Sequence, residues 1–229
     1  MNVIEREREF WDQHSEFDWM AEESKRDVAA MLPRVTGDVL ELCVGSGLLT
    51  EHVAAAKRSY IGLDLSGTLL GALRRKLPGL ALVQGNAEEL CFPDGSFDAV
   101  FVFAGLHHLP HYQMSIAQAF RVLRPDGIFV CLEPSSRAWY RPPMEWLRSW
   151  IGIYSDDEVF LDGRSVAAIM RSTGFTDLRT DYLTPRFSSA FLTPKNRLLA
   201  YCLYAAAALG NSALTQSFFL LRGRKPSPR

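Results

Sequence analysis

The stretch VLELCVGSGLLT, residues 39–50, decides the fold of this chain. An apolar, β-forming run leads into a Gly-Ser-Gly bend, and residues that can start a helix follow the bend. Glycine lacks a Cβ and tolerates positive φ, so such a bend lets the backbone approach a ligand closely. The first N–H groups of the following helix are also available to a ligand. The stretch therefore predicts a strand, a turn and a helix of the kind that binds nucleotides.

Outward from this stretch, short β-rich runs alternate with helical runs. The runs predicted as strands cover residues 39–44, 59–64, 81–84, 97–103 and 127–132, and two more are expected at 176–187 and 215–222. The predicted helices among them cover residues 48–56, 67–76, 112–122 and 164–173, the last ending at Gly174. The first five strands are apolar with little alternation, which is typical of parallel strands covered on both faces. The pattern indicates an α/β fold with a doubly wound, mostly parallel seven-stranded sheet, whose ligands bind at the carboxyl ends of the strands.

The regions around this core predict additions to it. Residues 1–36 are interpreted as an N-terminal helical lid with an aromatic face, and packing on the flank of the sheet is the alternative. Residues 37–229 are expected to form the binding domain, with an acceptor-side insertion at 134–163 and a flexible tail at 223–229. The apolar run at 198–209 predicts a helix too short to span a membrane.

Composition narrows the class of protein. The formal net charge is −1, so no general nucleic-acid-binding surface is expected. Beyond Asp181 the chain has basic residues and no acidic ones. Scattered solvated charges are favoured there over contact with an acidic membrane surface. The four cysteines form no C-x-x-C pair and the charged N-terminus lacks the apolar run of a signal peptide, so reduced thiols and a cytoplasmic location are expected.

Two polar residues at predicted strand ends suggest what the turn binds. Asp64 can accept hydrogen bonds from a ribose diol, or it can cap the helix that follows. Asn86 can pair with an adenine edge, or it can simply form a turn. A dinucleotide site would have a third glycine, where this chain has Thr50, and no phosphate-binding lysine follows the turn. The remaining candidate ligand carries adenosine and a small zwitterionic end.

Four segments together resemble the class I S-adenosylmethionine-dependent methyltransferases, close to the ubiquinone-biosynthesis-like (type 11) group. They are VLELCVGSG, YIGLDLS, VQGNAEELCFPDGSFDAVFVFAGLHHL and AFRVLRPDGIFVCLEP. The resemblance implies a Rossmann-like fold, S-adenosylmethionine as cofactor and S-adenosylhomocysteine as product. It also implies the cofactor-binding residues Glu41, Cys43, Gly45, Ser46 and Gly47 in the turn, Asp64 on the ribose, Leu65, Asn86 and Ala87 around adenine, and Phe103 near the methionyl part.

The chain departs from the family pattern at two of these positions. The family usually has Gly where Cys43 stands and Asp where Asn86 stands. Weaker or differently posed cofactor binding is therefore expected. These departures also motivate an alternative from another functional class, a non-catalytic S-adenosylmethionine-binding scaffold or partner subunit.

The catalytic candidates follow the fourth strand, in the segment GLHHLPH. It holds His107, His108 and His111, and an imidazole suits proton abstraction near neutral pH. Some sugar O-methyltransferases of the family are similar here, which implies His107 as base and Glu133 as its orienting acid. A helix-start role is the structural alternative for His107. No metal site is expected, because no cysteine or carboxylate at ligand spacing joins the histidines.

We therefore expect an enzyme that methylates a small, largely apolar or aromatic acceptor by in-line displacement, at oxygen, with His107 as base. The aromatic residues of the N-terminal face and of the insertion favour such an acceptor. An NAD-linked oxidoreductase fits the fold but not the turn. No pattern in the sequence selects one acceptor or one oligomeric state.

Overall fold

The computed structural model describes residues 3–13, 18–54, 59–137, 161–188, 201, 204–205, 208–209 and 215–228. The strands are β1 (Asp38–Leu42), β2 (Ser59–Asp64), β3 (Ala81–Gln84), β4 (Phe97–Phe103), β5 (Leu123–Pro134), β6 (Thr176–Leu183) and β7 (Phe218–Arg224). The helices are α1 (Val3–Gln13), α2 (Glu22–Met31), α3 (Thr50–Ala54), α4 (Gly67–Lys76), α5 (Tyr112–Val122) and α6 (Gly163–Thr173), with a 3-10 turn at Leu106–His108.

The strands form one sheet in the order β3-β2-β1-β4-β5-β7-β6. β1 to β5 are parallel to one another, and β7 runs antiparallel to both of its neighbours, β5 and β6. The chain leaves β1 toward β2 on one side and later returns to β4 on the other, so the strand order reverses beside β1. Ligands of doubly wound sheets bind at such a switch point. The predicted fold class is confirmed.

The two faces of the sheet build separate cores, because successive residues of a strand point to opposite faces. Leu40 and Leu42 of β1 belong to the core that α5 and α6 cover, and Val39 belongs to the core that α2 and α3 cover. All three side chains are completely buried. Burying an aliphatic side chain of this size contributes about 1.5–3 kcal/mol. The central strand therefore gives the turn that follows it a rigid base.

Local side-chain chemistry sets the ends of the helices. The Ser66 hydroxyl caps α4 by accepting a hydrogen bond from the Leu69 N–H at 3.1 Å. α6 ends at Gly174, whose φ of +112° is in the left-handed region that glycine tolerates. The sequence predicted this end correctly. The prediction rested on the preference for glycine just past a helix.

Several predicted boundaries differ from the structure. β1 ends at Leu42, before the predicted 44, because the next residue turns the chain with a positive φ. β5 begins at Leu123, earlier than the predicted 127, since this residue already pairs with Phe97 across an irregular register. Most of the helix predicted at 198–209 and most of the insertion at 134–163 fall outside the described residues, and the described residues 201, 204 and 205 are helical. Among the described helices, none is long and apolar enough to cross a membrane.

Candidate active site

Strained backbone marks the carboxyl ends of the two central strands. Cys43 follows β1 and Ala104 follows β4, and both have φ of +52°. A non-glycine residue in this region costs about 1–3 kcal/mol, and such residues cluster at functional sites. Because β1 and β4 are neighbours, the two strained turns lie side by side. The region at the carboxyl ends of β1 and β4 is the candidate opening for a ligand.

The glycines of the turn after β1 have different roles. Gly45 has φ of +51°, and a Cβ built on it would meet only the Cys43 carbonyl oxygen, at 3.9 Å. Gly47 has φ of +82°, and its Cβ would lie 2.6 Å from a methyl carbon of Leu73 in α4. Gly47 therefore allows close packing, while Gly45 leaves open space in which a ligand can approach the backbone. Ser46 lies half-buried between them.

Asp64, the last residue of β2, is bonded to this turn. Its Oδ2 accepts a hydrogen bond from the Gly45 N–H at 2.8 Å, and its Oδ1 accepts one from the Ser66 N–H at 2.9 Å. Burial raises the pKa of the Asp64 carboxyl, and these two N–H groups act in the opposite direction. A carboxylate has about four lone-pair sites, so each oxygen can accept a further bond. Asp64 is therefore placed to receive hydroxyl donors beside the open face of Gly45.

Glu41 lies in β1, ahead of the turn, and its carboxylate contacts side chains of α3 and β2. Both of its carboxylate oxygens lie 3.1 Å from the Thr50 hydroxyl, and Oε2 also accepts a bond from the Tyr60 hydroxyl at 2.8 Å. Burial raises its pKa to about 7 even though these hydroxyls favour the charged form. Glu41 thus ties β1 to β2 and to the start of α3, which follows the turn.

The remaining predicted binding residues surround the same opening. Leu65 and Asn86 follow β2 and β3, and the Gly85 N–H bonds to the Asp64 carbonyl oxygen at 2.9 Å, which holds the two strand ends together. The Asn86 side-chain oxygen accepts a hydrogen bond from the Glu88 N–H at 2.9 Å. Ala87 is buried beside it. Leu65, Asn86 and Ala87 therefore lie on the β2–β3 side of the opening.

Phe103 lies on the other side of the opening, as the last residue of β4. Its ring stacks on that of Phe101, with centroids 5.7 Å apart and an interplanar angle of 29°. The ring is buried in the core that α2 and α3 cover. Phe103 is therefore an apolar wall at the end of β4.

His107 and Glu133 form a buried pair at the carboxyl ends of β4 and β5. His107 Nδ1 lies 2.7 Å from Glu133 Oε2, and Glu133 Oε1 accepts bonds from the Gly105 and Leu106 N–H groups at 3.0 and 2.8 Å. The Glu133 side chain is completely buried, and burial raises its pKa to about 7 against the opposing effect of these N–H groups. With both of its oxygens held, Glu133 fixes the orientation of the imidazole. The structure thus brings together the two residues predicted as catalytic.

Sequence reasoning did not identify the residues by which α1 contacts this region. Glu7 Oε2 lies 3.3 Å from His108 Nδ1, and the Trp11 ring meets the His108 ring edge-on with centroids 4.9 Å apart. Farther along α1, the Asp12 carboxylate accepts a short hydrogen bond from the Ser66 hydroxyl. The alternating charges of EREREF, residues 5–10, give no local signal that one of these acids is buried.

Comparison with known proteins agrees with this geometry. Residues 40–131 match a family model described as a methyltransferase domain. An uncharacterised methyltransferase of Synechocystis, sll0829, is 32% identical over 147 residues, which span 62% of this chain and 68% of that protein. The chain belongs to the class I S-adenosylmethionine-dependent methyltransferases.

One further sequence relative and one solved structure are also similar to this methyltransferase. The ubiquinone/menaquinone biosynthesis C-methyltransferase UbiE of Brucella abortus is 35% identical over 103 residues, which span 41% of this chain and 38% of that protein. A solved structure of a S-adenosylmethionine-dependent methyltransferase from Thermotoga maritima has a TM-score of 0.66 at 18% identity. That match covers 88% of this chain and 87% of the other, and it shows the shared fold.

The residues at the opening fit S-adenosylmethionine, the cofactor of this family. The open face of Gly45 leaves room for a ligand against the backbone, and the Asp64 carboxylate beside it suits a ribose diol. No lysine follows the turn, which agrees with a cofactor that has no phosphate. The protein is an enzyme that transfers a methyl group from this cofactor.

Cys43, which stands where the family usually has glycine, packs against a glycine of the neighbouring strand end. A Cβ built on Gly105 would lie 2.5 Å from the Cys43 Cβ and 3.2 Å from its Sγ. The side chain of Cys43 therefore occupies volume that Gly105 leaves empty. The weaker or differently posed cofactor binding expected from a cysteine at this position stays a prediction.

We expect Gly105→Ala to destabilise the methyltransferase by about 1–3 kcal/mol, the usual cost of overpacking. The same variant should weaken S-adenosylhomocysteine binding, because the turn after β1 has to move. Thermal unfolding and titration calorimetry measure the two effects. Adding Cys43→Gly should restore both, and Gly71→Ala, where the nearest atom to the new Cβ is 3.8 Å away, is the matched control. An unchanged Gly105→Ala protein would show that the two residues do not compete for space.

Proposed function

We propose that this methyltransferase transfers the methyl group of S-adenosylmethionine to an oxygen of a small, largely apolar acceptor, with His107 as general base. The observation that carries the proposal is the buried contact of 2.7 Å between His107 Nδ1 and Glu133 Oε2 at the ends of β4 and β5. The cofactor supplies an activated methyl group on a sulfonium, whose leaving group is a neutral thioether. A hydroxyl acceptor must lose a proton as the new bond forms, and this is the step that needs a base.

The pair with Glu133 suits His107 to that step. When Nδ1–H donates to the Glu133 carboxylate, the lone pair of the imidazole is on Nε2, and Nε2 takes the acceptor proton. The acceptor oxygen then bonds to the methyl carbon as the carbon–sulfur bond breaks. Glu133 stabilises the positive charge that the proton leaves on the ring. Its own position is fixed by the Gly105 and Leu106 N–H groups.

The cofactor-binding roles proposed for the predicted residues follow from where they lie. Asp64 holds the ribose hydroxyls, and the backbone of Gly45 lies beneath the cofactor. Leu65 and Ala87 bound the adenine, and Asn86 accepts from the adenine amino group with the second lone pair of its side-chain oxygen. Phe103 bounds the methionyl part. The roles proposed for the rest of the turn, at Glu41, Cys43, Ser46 and Gly47, are to hold its shape around the cofactor.

Aromatic side chains also cluster near the carboxyl end of β5. Phe218, which pairs with Pro134 at that end, stacks on Trp19 with ring centroids 5.0 Å apart. The segment around Trp19 is fastened there, because its carbonyl oxygen accepts a bond from the Ser188 N–H at 2.8 Å. The neighbouring Phe187 ring lies 6.1 Å from the Trp19 ring. These rings lie on the face of the sheet that α2 and α3 cover, opposite to the face of the Glu133 side chain, so the apolar acceptor stays a proposal from the sequence.

C-methylation is the second candidate, because the relative from Brucella abortus is named a C-methyltransferase. The same base serves both reactions when the acceptor is a phenol or a quinol. Removing its hydroxyl proton raises the electron density at the ring carbons as well as at oxygen. After methylation at carbon, the hydrogen on that carbon leaves as a proton and the oxygen regains one, which restores the aromatic ring. The position of the acceptor relative to the methyl carbon then selects the atom that is methylated.

The test is turnover with a panel of phenols, quinols and sugar-bearing metabolites. S-adenosylhomocysteine formation is measured by mass spectrometry, with a reaction lacking acceptor as the control. A carbon-13 methyl label on the cofactor lets NMR assign the new bond as O–CH₃ or C–CH₃. We expect O–CH₃ products from at least one apolar member. Exclusive C–CH₃ products would select the second candidate, and no product from any member would refute both.

A further inference from the structure

We propose that Glu7 of α1 is a positioning residue of the methyl-transfer site. By holding His108 against His107, it couples closure of α1 over the cofactor to the orientation of the base. The inference rests on the proposed role of His107. The sequence predicted a lid over residues 1–36 but did not single out Glu7 or His108 as the residues that would connect it to the site.

The burial of Glu7 is the first observation. The residues on either side of it in α1, Arg6 and Arg8, are exposed, whereas Glu7 is 5% exposed. A buried carboxylate is costly unless it is paired. Its Oε2 accepts a hydrogen bond from the Trp11 indole N–H at 3.2 Å and lies 3.3 Å from His108 Nδ1. Glu7 therefore points into the site and not along the surface of the helix.

His108 is the second observation, because it lies between α1 and the catalytic pair. Its ring centroid is 3.9 Å from that of His107, with an interplanar angle of 42°. Burial raises the pKa values of both Asp64 and Glu133, and His108, when protonated, acts in the opposite direction on both. One imidazole thus acts on the candidate ribose-binding acid and on the acid that orients the base.

The Asp12 contact with Ser66 is the third observation. It fixes α1 at the carboxyl end of β2, while Glu7 fixes it at the carboxyl end of β4. In the sheet, β2 and β4 flank β1 on opposite sides. α1 therefore lies across the end of β1 and its glycine-rich turn. The two anchors are five residues apart, which is about 7.5 Å along a helix.

These contacts couple closure of α1 over the cofactor to the restraint of the His107 ring. When α1 closes, Asp12 fastens it beside the adenosyl end of the site through Ser66. At the same time Glu7 fixes the ring of His108, and the packed ring of His107 loses freedom to turn. Closure of α1 therefore adds a second restraint on the base, whose imidazole Glu133 already orients through Nδ1.

The first test needs no acceptor. Protein loaded with tritiated S-adenosylhomocysteine is chased with excess unlabelled ligand, and its dissociation rate is measured by rapid filtration. Glu7→Ala and His108→Ala should each accelerate dissociation by about tenfold, the effect of one charge-assisted contact. The double variant should be no faster than either single one, because both remove the same contact.

Glu9→Ala is the matched control, since Glu9 is an exposed acid on the same helix. It should leave the dissociation rate unchanged. Equal rates for Glu7→Ala and Glu9→Ala, or multiplied effects in the double variant, would overturn the inference. Thermal unfolding checks that each variant is folded.

The second test separates positioning of the base from simple covering of the site. In protein labelled with nitrogen-15 histidine and loaded with S-adenosylhomocysteine, Glu7→Gln should shift the ring resonances of His107 as well as those of His108. Glu9→Gln should shift neither. If only the His108 resonances shift, α1 covers the site without positioning His107, and the inference is wrong. Because neither test measures methyl transfer, a failure here is distinguishable from a failure of the proposed O-methylation.

Discussion

His107→Ala is expected to lower turnover by roughly 10²- to 10⁴-fold, the usual contribution of a general base, with the acceptor that the panel identifies. The dissociation constant for S-adenosylhomocysteine should stay within about twofold, because the imidazole acts on the acceptor and not on the adenosyl group. Initial-rate kinetics and calorimetry measure the two quantities. The split between them distinguishes a base from a residue that merely supports the fold.

Two further variants sharpen this prediction. His111→Ala removes an exposed imidazole from the same segment and should leave turnover unchanged. Glu133→Gln should also reduce turnover, because the amide cannot stabilise the protonated imidazole as a carboxylate does. Unchanged turnover in His107→Ala would assign that residue a structural role at the start of the 3-10 turn.

Asp64→Ala is expected to weaken S-adenosylhomocysteine binding by at least about 100-fold. Two hydrogen bonds between ribose hydroxyls and a carboxylate contribute about 1.5–3 kcal/mol each, and both would be lost. The substitution also leaves the Gly45 and Ser66 N–H groups without their acceptor. The turn then loses part of the support that shapes it for the cofactor.

Calorimetry with S-adenosylhomocysteine measures this loss, and Glu89→Ala is the matched control. Glu89 is an exposed acid on the turn after β3, so its removal should leave affinity unchanged. If Asp64→Ala bound the ligand as tightly as the unmodified protein, the ribose assignment would be wrong. The carboxylate would then serve only to hold the turn.

The sequence predicted the sheet well for an identifiable physical reason. β2, β3 and β4 begin and end where they were predicted, because each is an apolar run bounded by turn-forming residues. β5 was harder to predict, since Pro125 and Gly127 suggest a turn where the strand passes through an irregularity. Long, locally encoded features were therefore predictable, and their irregular ends were not.

The contacts of the candidate site were likewise predictable only in part. The pairing of His107 with Glu133 could be expected, because each follows a strand and the two strands are neighbours. The contact of Glu7 with His108 joins residues about a hundred positions apart and depends on how α1 lies across the sheet. Nothing local encodes that placement. The compensation between Cys43 and Gly105 likewise appears only when two loops are seen together.

The antiparallel direction of β7 has a practical consequence for handling the protein. Phe218 pairs with Pro134 at the carboxyl end of β5, and Arg224 pairs with Ile128 near its amino end. The chain thus leaves β7 at the end of the sheet that is remote from the catalytic opening. The helix α1 lies at the opposite end, over that opening. A purification tag or immobilisation handle attached after β7 should leave catalysis undisturbed. The same handle attached ahead of α1 would load the helix for which closure over the cofactor is proposed.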